Sequence, residues 1–122
     1  MHERVYRICE QTAWAAARAS GELPWSELDR RDGFVHLSRA EQVAGTLARY
    51  FAGRDDLFLL TIACDRLEGE LRFEAPEPER DQLFPHLYGR VPLAAIIQVD
   101  RLTLDAQGRH RLPVALASAI HD

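Results

Sequence analysis

The sequence predicts an α+β fold on three observations. Helical patterns fall in the first half of the chain, strand patterns dominate the second, and the connections between them are short. No long repeat, low-complexity tract or linker interrupts the 122 residues, so a single domain over residues 1–122 is expected. That length buries a hydrophobic core without staples.

The elements follow in order. Val5-Tyr6-Arg7-Ile8-Cys9 alternates as a first strand does. A helix fits residues 12–20, with Thr12 as cap, several alanines as strong helix formers and Gly21 as stop. Trp14, in its first turn, is expected in the core. Residues 24–29 read as a loop entering one short turn, with Ser26 or Asp29 as local cap, and Arg30-Arg31-Asp32-Gly33 as a polar break.

Gly33-Phe34-Val35-His36-Leu37-Ser38 reads as extended, which puts Phe34, His36 and Ser38 on one face and Val35 and Leu37 on the other. Ser38-Arg39-Ala40-Glu41 has the form of a capping box. The helix it opens carries Ala40, Val43, Ala44, Leu47 and Phe51 on one stripe and stops at Gly53. Two helices are thus expected in the N-terminal half.

Residues 57–63 are apolar on both alternating faces, as suits a central strand. Glu70-Leu71-Arg72-Phe73-Glu74 alternates strictly, and a hairpin between these two strands is expected. Residues 75–82, with two prolines, read as an exposed loop. Phe84-Pro85-His86-Leu87-Tyr88 follows. Residues 94–104 form one long or bent strand, residues 105–108 a turn into a short closing strand at 110–112, and residues 113–120 a terminal helix.

Composition excludes several classes of function. A net charge of −4 argues against broad binding of nucleic acid, which needs a clustered basic surface. All 15 basic residues are arginine, and there is no lysine and no asparagine, which removes Schiff-base catalysis, a phosphate loop completed by lysine, and N-glycosylation. Cys9 and Cys64 are expected as reduced thiols. No apolar run suits a signal peptide or a membrane span, so a cytoplasmic protein is expected. Oligomeric state is not legible.

Two phrases carry the chemistry. His36 lies two residues after a phenylalanine and two before a hydroxyl residue, and His86 has the same neighbours in Phe84 and Tyr88. Extended and adjacent, they would bring two imidazoles and two hydroxyls to one side of a cleft. Arg72 and Glu74 share a strand face, where a guanidinium meets an anion and a carboxylate meets a hydroxyl, or where both are simply solvated. His2, His110 and His121 belong to termini or a turn. No histidine pair has helical ligand spacing, so a metal is not expected.

The phrases Gly33 to Ser38, Leu71 to Glu74 and Phe84 to Gly89, with Val5-Tyr6-Arg7-Ile8 and Trp14, resemble the bacterial family called domain of unknown function 952. The resemblance spans nearly the whole chain. It implies the fold grouped with ADP-ribosyltransferases, a split, mostly antiparallel sheet around a cleft that holds NAD as substrate in active members. His36-Leu37-Ser38 resembles the His-x-Ser motif that binds the ribose there. Tyr88 or Tyr6 would stack on nicotinamide, and Glu74 or His86 would take the third catalytic position. In that reading Arg72 meets the diphosphate and Glu74 the developing positive charge. Two alternatives stand beside it: a two-histidine phosphoesterase acting on a cyclic phosphate, and a binding module that keeps the cleft without the reaction.

Overall fold

The computed structural model describes residues 3–75 and 82–121. The chain runs β1 (Arg4–Glu10), α1 (Gln11–Ser20), α2 (Glu27–Asp32), β2 (Val35–His36), α3 (Val43–Tyr50), β3 (Leu57–Ala63), β4 (Glu68–Glu74), β5 (Phe84–Arg90), β6 (Ile96–Leu102) and α4 (Val114–His121). The strands form two antiparallel three-stranded sheets, in the orders β1-β3-β6 and β2-β5-β4. A single rung joins the sheets: Tyr6 and Ser38 exchange two backbone hydrogen bonds, each 2.8 Å long.

The period-two pattern of β1 and β3 explains the layering. Val5, Cys9, Leu60 and Ile62 project into a core shared with Ala17 of α1 and with Val35 and Leu87 of the second sheet. The alternate residues Tyr6, Ile8, Leu57 and Leu59 project oppositely, onto Val43 and Leu47 of α3 and Leu116 of α4. A strand buried on both faces needs apolar residues on both, as β3 has at every position but Thr61. It lies between β1 and β6, as a central strand should.

Several expectations are corrected. The N-terminal half holds three helices, because residues 27–32 form α2. Its cap is reciprocal: the Asp29 N–H donates to Ser26 Oγ (3.1 Å) and the Ser26 N–H to Asp29 Oδ2 (2.9 Å), while Gly33 ends the helix at φ +85°. The expected turn with Ser26 or Asp29 as cap uses both residues and runs one turn longer.

The capping box expected at Ser38 does not form. Ser38 spends its backbone N–H and C=O on Tyr6, so it still belongs to the sheet. A 3-10 turn over Ala40–Gln42 follows, in which Gln42 Oε1 accepts from the Arg39 N–H at 2.9 Å, and only then does α3 begin. Ala44, placed on the buried stripe by spacing, is exposed, while Val43 and Leu47 are buried.

The expected hairpin between β3 and β4 is absent. A 3-10 turn at Cys64–Arg66 turns the chain out of the first sheet, and β4 pairs with β5 instead, in the register Glu70↔Tyr88, Arg72↔His86 and Glu74↔Phe84. The reason is that β3 is fully occupied by two other neighbours. The long strand expected over residues 94–104 is shortened, because Leu93–Ala95 form a 3-10 turn before β6. The loop expected at residues 75–82 lies largely outside the described residues. The terminal helix forms, and Trp14 packs against the core as expected. No helix among the described residues is long and apolar enough to cross a membrane.

Candidate functional site

The short strand β2 fixes the site. In its register with β5, Val35 pairs with Leu87 on the core face and His36 pairs with His86 on the other. The two imidazole rings lie edge to face with centroids 5.9 Å apart. Phe34 sits between them, stacked on His86 at 4.0 Å and tilted against His36 at 4.6 Å. The two phrases that sequence spacing singled out are thus adjacent.

Each histidine is held by carboxylates. His36 Nδ1 donates to Asp29 Oδ1 at 2.7 Å, and Nε2 donates to Asp32 Oδ2 at 2.9 Å. Neighbouring donors hold both carboxyls below their usual range. Burial pushes the Asp29 carboxyl up, but hydrogen bonds from His36 and the charge and hydrogen bonds of Arg7 outweigh it and hold that carboxyl well below the usual range. The Arg31 hydrogen bond lowers Asp32.

Asp29 is wholly buried and accepts from three elements. Arg7 of β1 donates to Oδ1 (3.2 Å) and Oδ2 (2.8 Å), Ser26 to Oδ2, and the His36 backbone N–H to Oδ1 (3.1 Å). Arg7 also donates to the His36 carbonyl at 2.8 Å. This carboxylate therefore ties β1, α2 and β2 at one point. Sequence reasoning assigned Asp29 a capping role and missed its function beside His36. The signal was present: Asp32 lies four residues before His36, and Arg7 is a cation in the middle of β1, flanked on both sides by buried apolar residues.

On the other side His86 Nδ1 donates to Glu74 Oε1 at 2.9 Å, and the Tyr88 hydroxyl donates to the same oxygen at 2.7 Å. The Tyr88 and His86 hydrogen bonds lower the Glu74 carboxyl, and Glu74 in turn raises the Tyr88 phenol. His86 itself is 4% exposed, and its Nε2 has no hydrogen bond among the described residues.

The histidines line a cleft of about 850 Å³ bounded by β1, α2, β2 and α3. Of the residues singled out from sequence, His36, Ser38, His86 and Tyr6 line it. The Ser38 hydroxyl, expected to be spent on a helix cap, is free of that role and lies 3.5 Å from Thr46 Oγ1. Glu74 and Tyr88 stand behind His86, outside the lining. Arg72 is also outside it, paired with Glu70 at 3.0 Å and placed over the Tyr88 ring at 4.7 Å. Of the histidines set aside, His110 bonds the Arg54 carbonyl at 2.6 Å.

Cys9 lines the cleft too, but burial pushes its thiol up to about 11, so it is no thiolate nucleophile at neutral pH. Iodoacetamide at pH 7 is expected to leave Cys9 unmodified in the folded protein and to alkylate it in denaturant, as mass spectrometry of the Cys9 peptide would report. Both cysteines are free.

The chain resembles solved structures over nearly its full length. The crystal structure of protein CC0527 from Caulobacter crescentus is 36% identical, covers 94% of this chain and 99% of its own, and superposes with a TM-score of 0.83. The solution NMR structure of CC0527 is also 36% identical, with coverage of 89% and 92% and a TM-score of 0.77. No curated protein matches the chain. Residues 8–99 match the family described as "Protein of unknown function (DUF952)", and the chain belongs to that family.

Proposed function

We propose that the protein binds a nucleotide-like small molecule in this cleft, NAD being the first to test, and that His36 and His86 transfer protons to and from it. The observation that carries the reading is that both imidazoles sit side by side in a large cleft with each Nδ1 anchored on a carboxylate. That anchoring is how an enzyme fixes the tautomer and aim of a catalytic ring.

The anchoring also divides the roles. With Nδ1–H given to Glu74, His86 keeps a lone pair on Nε2 and acts as base toward an attacking hydroxyl. His36, held at Nδ1 by Asp29, turns its Nε2 donor from Asp32 to the ligand's sugar or leaving oxygen as the ligand enters. Ser38, also in the lining, supports the ribose contact. For ADP-ribosyl transfer Glu74 would have to face the ribosyl cation and Arg72 the diphosphate, and both stand outside the lining, so proton transfer by the histidine pair is the better supported chemistry.

Calorimetric titration with NAD, followed by assays of NAD cleavage and of 2′,3′-cyclic nucleotide hydrolysis, tests the proposal. His36→Ala is expected to weaken binding by at least roughly tenfold, the value of a charge-assisted hydrogen bond. His86→Ala is expected to leave binding within a few-fold and to lower turnover by about 10²–10⁴, the usual contribution of a positioned acid or base. Binding without turnover in the wild type would assign the protein to the non-catalytic binding modules. Absence of binding by either class of nucleotide would end the reading.

A further inference from the structure

We infer that Asp32 selects the ligand by charge, admitting the sugar and ring of a nucleoside to the cleft and keeping phosphate groups outside it. The inference rests on the nucleotide reading above and narrows it to the part of the ligand that enters.

The charges of the lining carry it. Among the described residues, carboxylates from Glu10, Glu27, Asp29 and Asp32 share the cleft with guanidiniums from Arg7 and Arg31 alone. Both guanidiniums are already engaged: Arg7 by Asp29, and Arg31 by Asp32 at 2.8 and 3.2 Å. Asp32 also sits on the Nε2 of the His36 ring. An entering phosphate therefore meets no unpaired guanidinium among the described lining residues and must displace Asp32 from both partners. A neutral or cationic ring meets instead an apolar wall that includes Ile8, Leu28, Leu37 and Phe51, closed by carboxylates that attract positive charge and accept from hydroxyls.

Asp32 is suited to this role by its place. It ends α2 just before Gly33, with its side chain 28% exposed. It contributes no buried contact to the fold, in contrast to Asp29 one turn earlier. Asp32→Asn keeps the size and the hydrogen-bonding oxygen while releasing the Arg31 guanidinium from its carboxylate partner.

The test compares two probes that differ by one phosphate, nicotinamide riboside and nicotinamide mononucleotide, titrated calorimetrically into the wild type and Asp32→Asn at low and at moderate salt. The wild type is expected to bind the riboside more tightly than the mononucleotide. Asp32→Asn is expected to shift that ratio roughly tenfold toward the mononucleotide, with the shift shrinking as salt rises, as for one partly screened charge. A ratio unchanged by the substitution, with both probes binding, overturns charge selection and leaves the nucleotide site standing. Failure of both probes to bind either protein, while NAD also fails, overturns the nucleotide reading and the selection with it. Circular dichroism melts of the two proteins within about 2 °C would show that the substitution leaves the fold intact, as a surface change should.

Discussion

Asp29→Ala is expected to destabilise the protein by about 3–5 kcal/mol, the cost of removing one partner from a buried ion pair. Its thermal midpoint should fall by more than about 10 °C for a domain of this size. The carboxylate is fully buried and its loss strands Arg7, whose side chain is only 11% exposed and whose Nε already has no hydrogen bond among the described residues. It also strands the Ser26 and His36 backbone donors. Arg7→Met combined with Asp29→Leu should recover much of the loss, because replacing both charges removes the uncompensated one. The acid response follows with a fixed sign. The Asp29 carboxyl titrates below its unfolded value, so its contribution is complete above the ordinary carboxylate range and declines as pH falls below about 4 toward the lowered folded value. Melts of wild type and Asp29→Asn between pH 7 and pH 3 should therefore converge as acid is added. Parallel curves would show that the carboxylate contributes nothing to folding.

That network also shows where sequence reasoning stops. Strand periodicity brings His36 and His86 to one face on the condition that their strands are adjacent, and the register of β2 with β5 meets that condition. The central strand was legible from a run that is apolar on both alternating faces. The partner of β4 was not, since an alternating strand fits any edge and the choice is made by which strands β3 has already engaged. Ser38 shows a second limit. A capping box is a local pattern, and a long-range rung to Tyr6 outcompeted it, which frees the hydroxyl that local reading had assigned to the helix. Asp29 shows the third. Its capping role is local and is realised, but its bonds to Arg7 and His36 join residues 22 and 7 positions away and depend on the closure of three elements around it. Composition and spacing do not carry that information.

Gly89→Ala is the second large effect, and it tests whether the site depends on the spacing of β4 and β5. Gly89 faces Gly69 across the ladder. A Cβ on Gly89 would collide with the Glu68 carbonyl oxygen and lie 2.8 Å from both Glu68 C and Gly69 Cα. These are backbone atoms that cannot rotate away, so the strands must separate. The cost is expected to reach or exceed the about 1–3 kcal/mol of ordinary overpacking. Gly69→Ala should be comparably harmful by a second route, because Gly69 adopts φ +107° and its Cβ would also meet the Tyr88 carbonyl. The separation has a chemical readout. Glu74, at the far end of β4, holds the His86 ring and the Tyr88 hydroxyl across the same pair of strands, within 2.9 and 2.7 Å. Nitrogen-15 shifts of the His86 ring should report a proton fixed on Nδ1 in the wild type and exchange between Nδ1 and Nε2 in Gly89→Ala. An unchanged ring spectrum in a destabilised variant would mean that the Glu74 contact follows β5 alone, and that the two glycines serve the sheet without aiming the base.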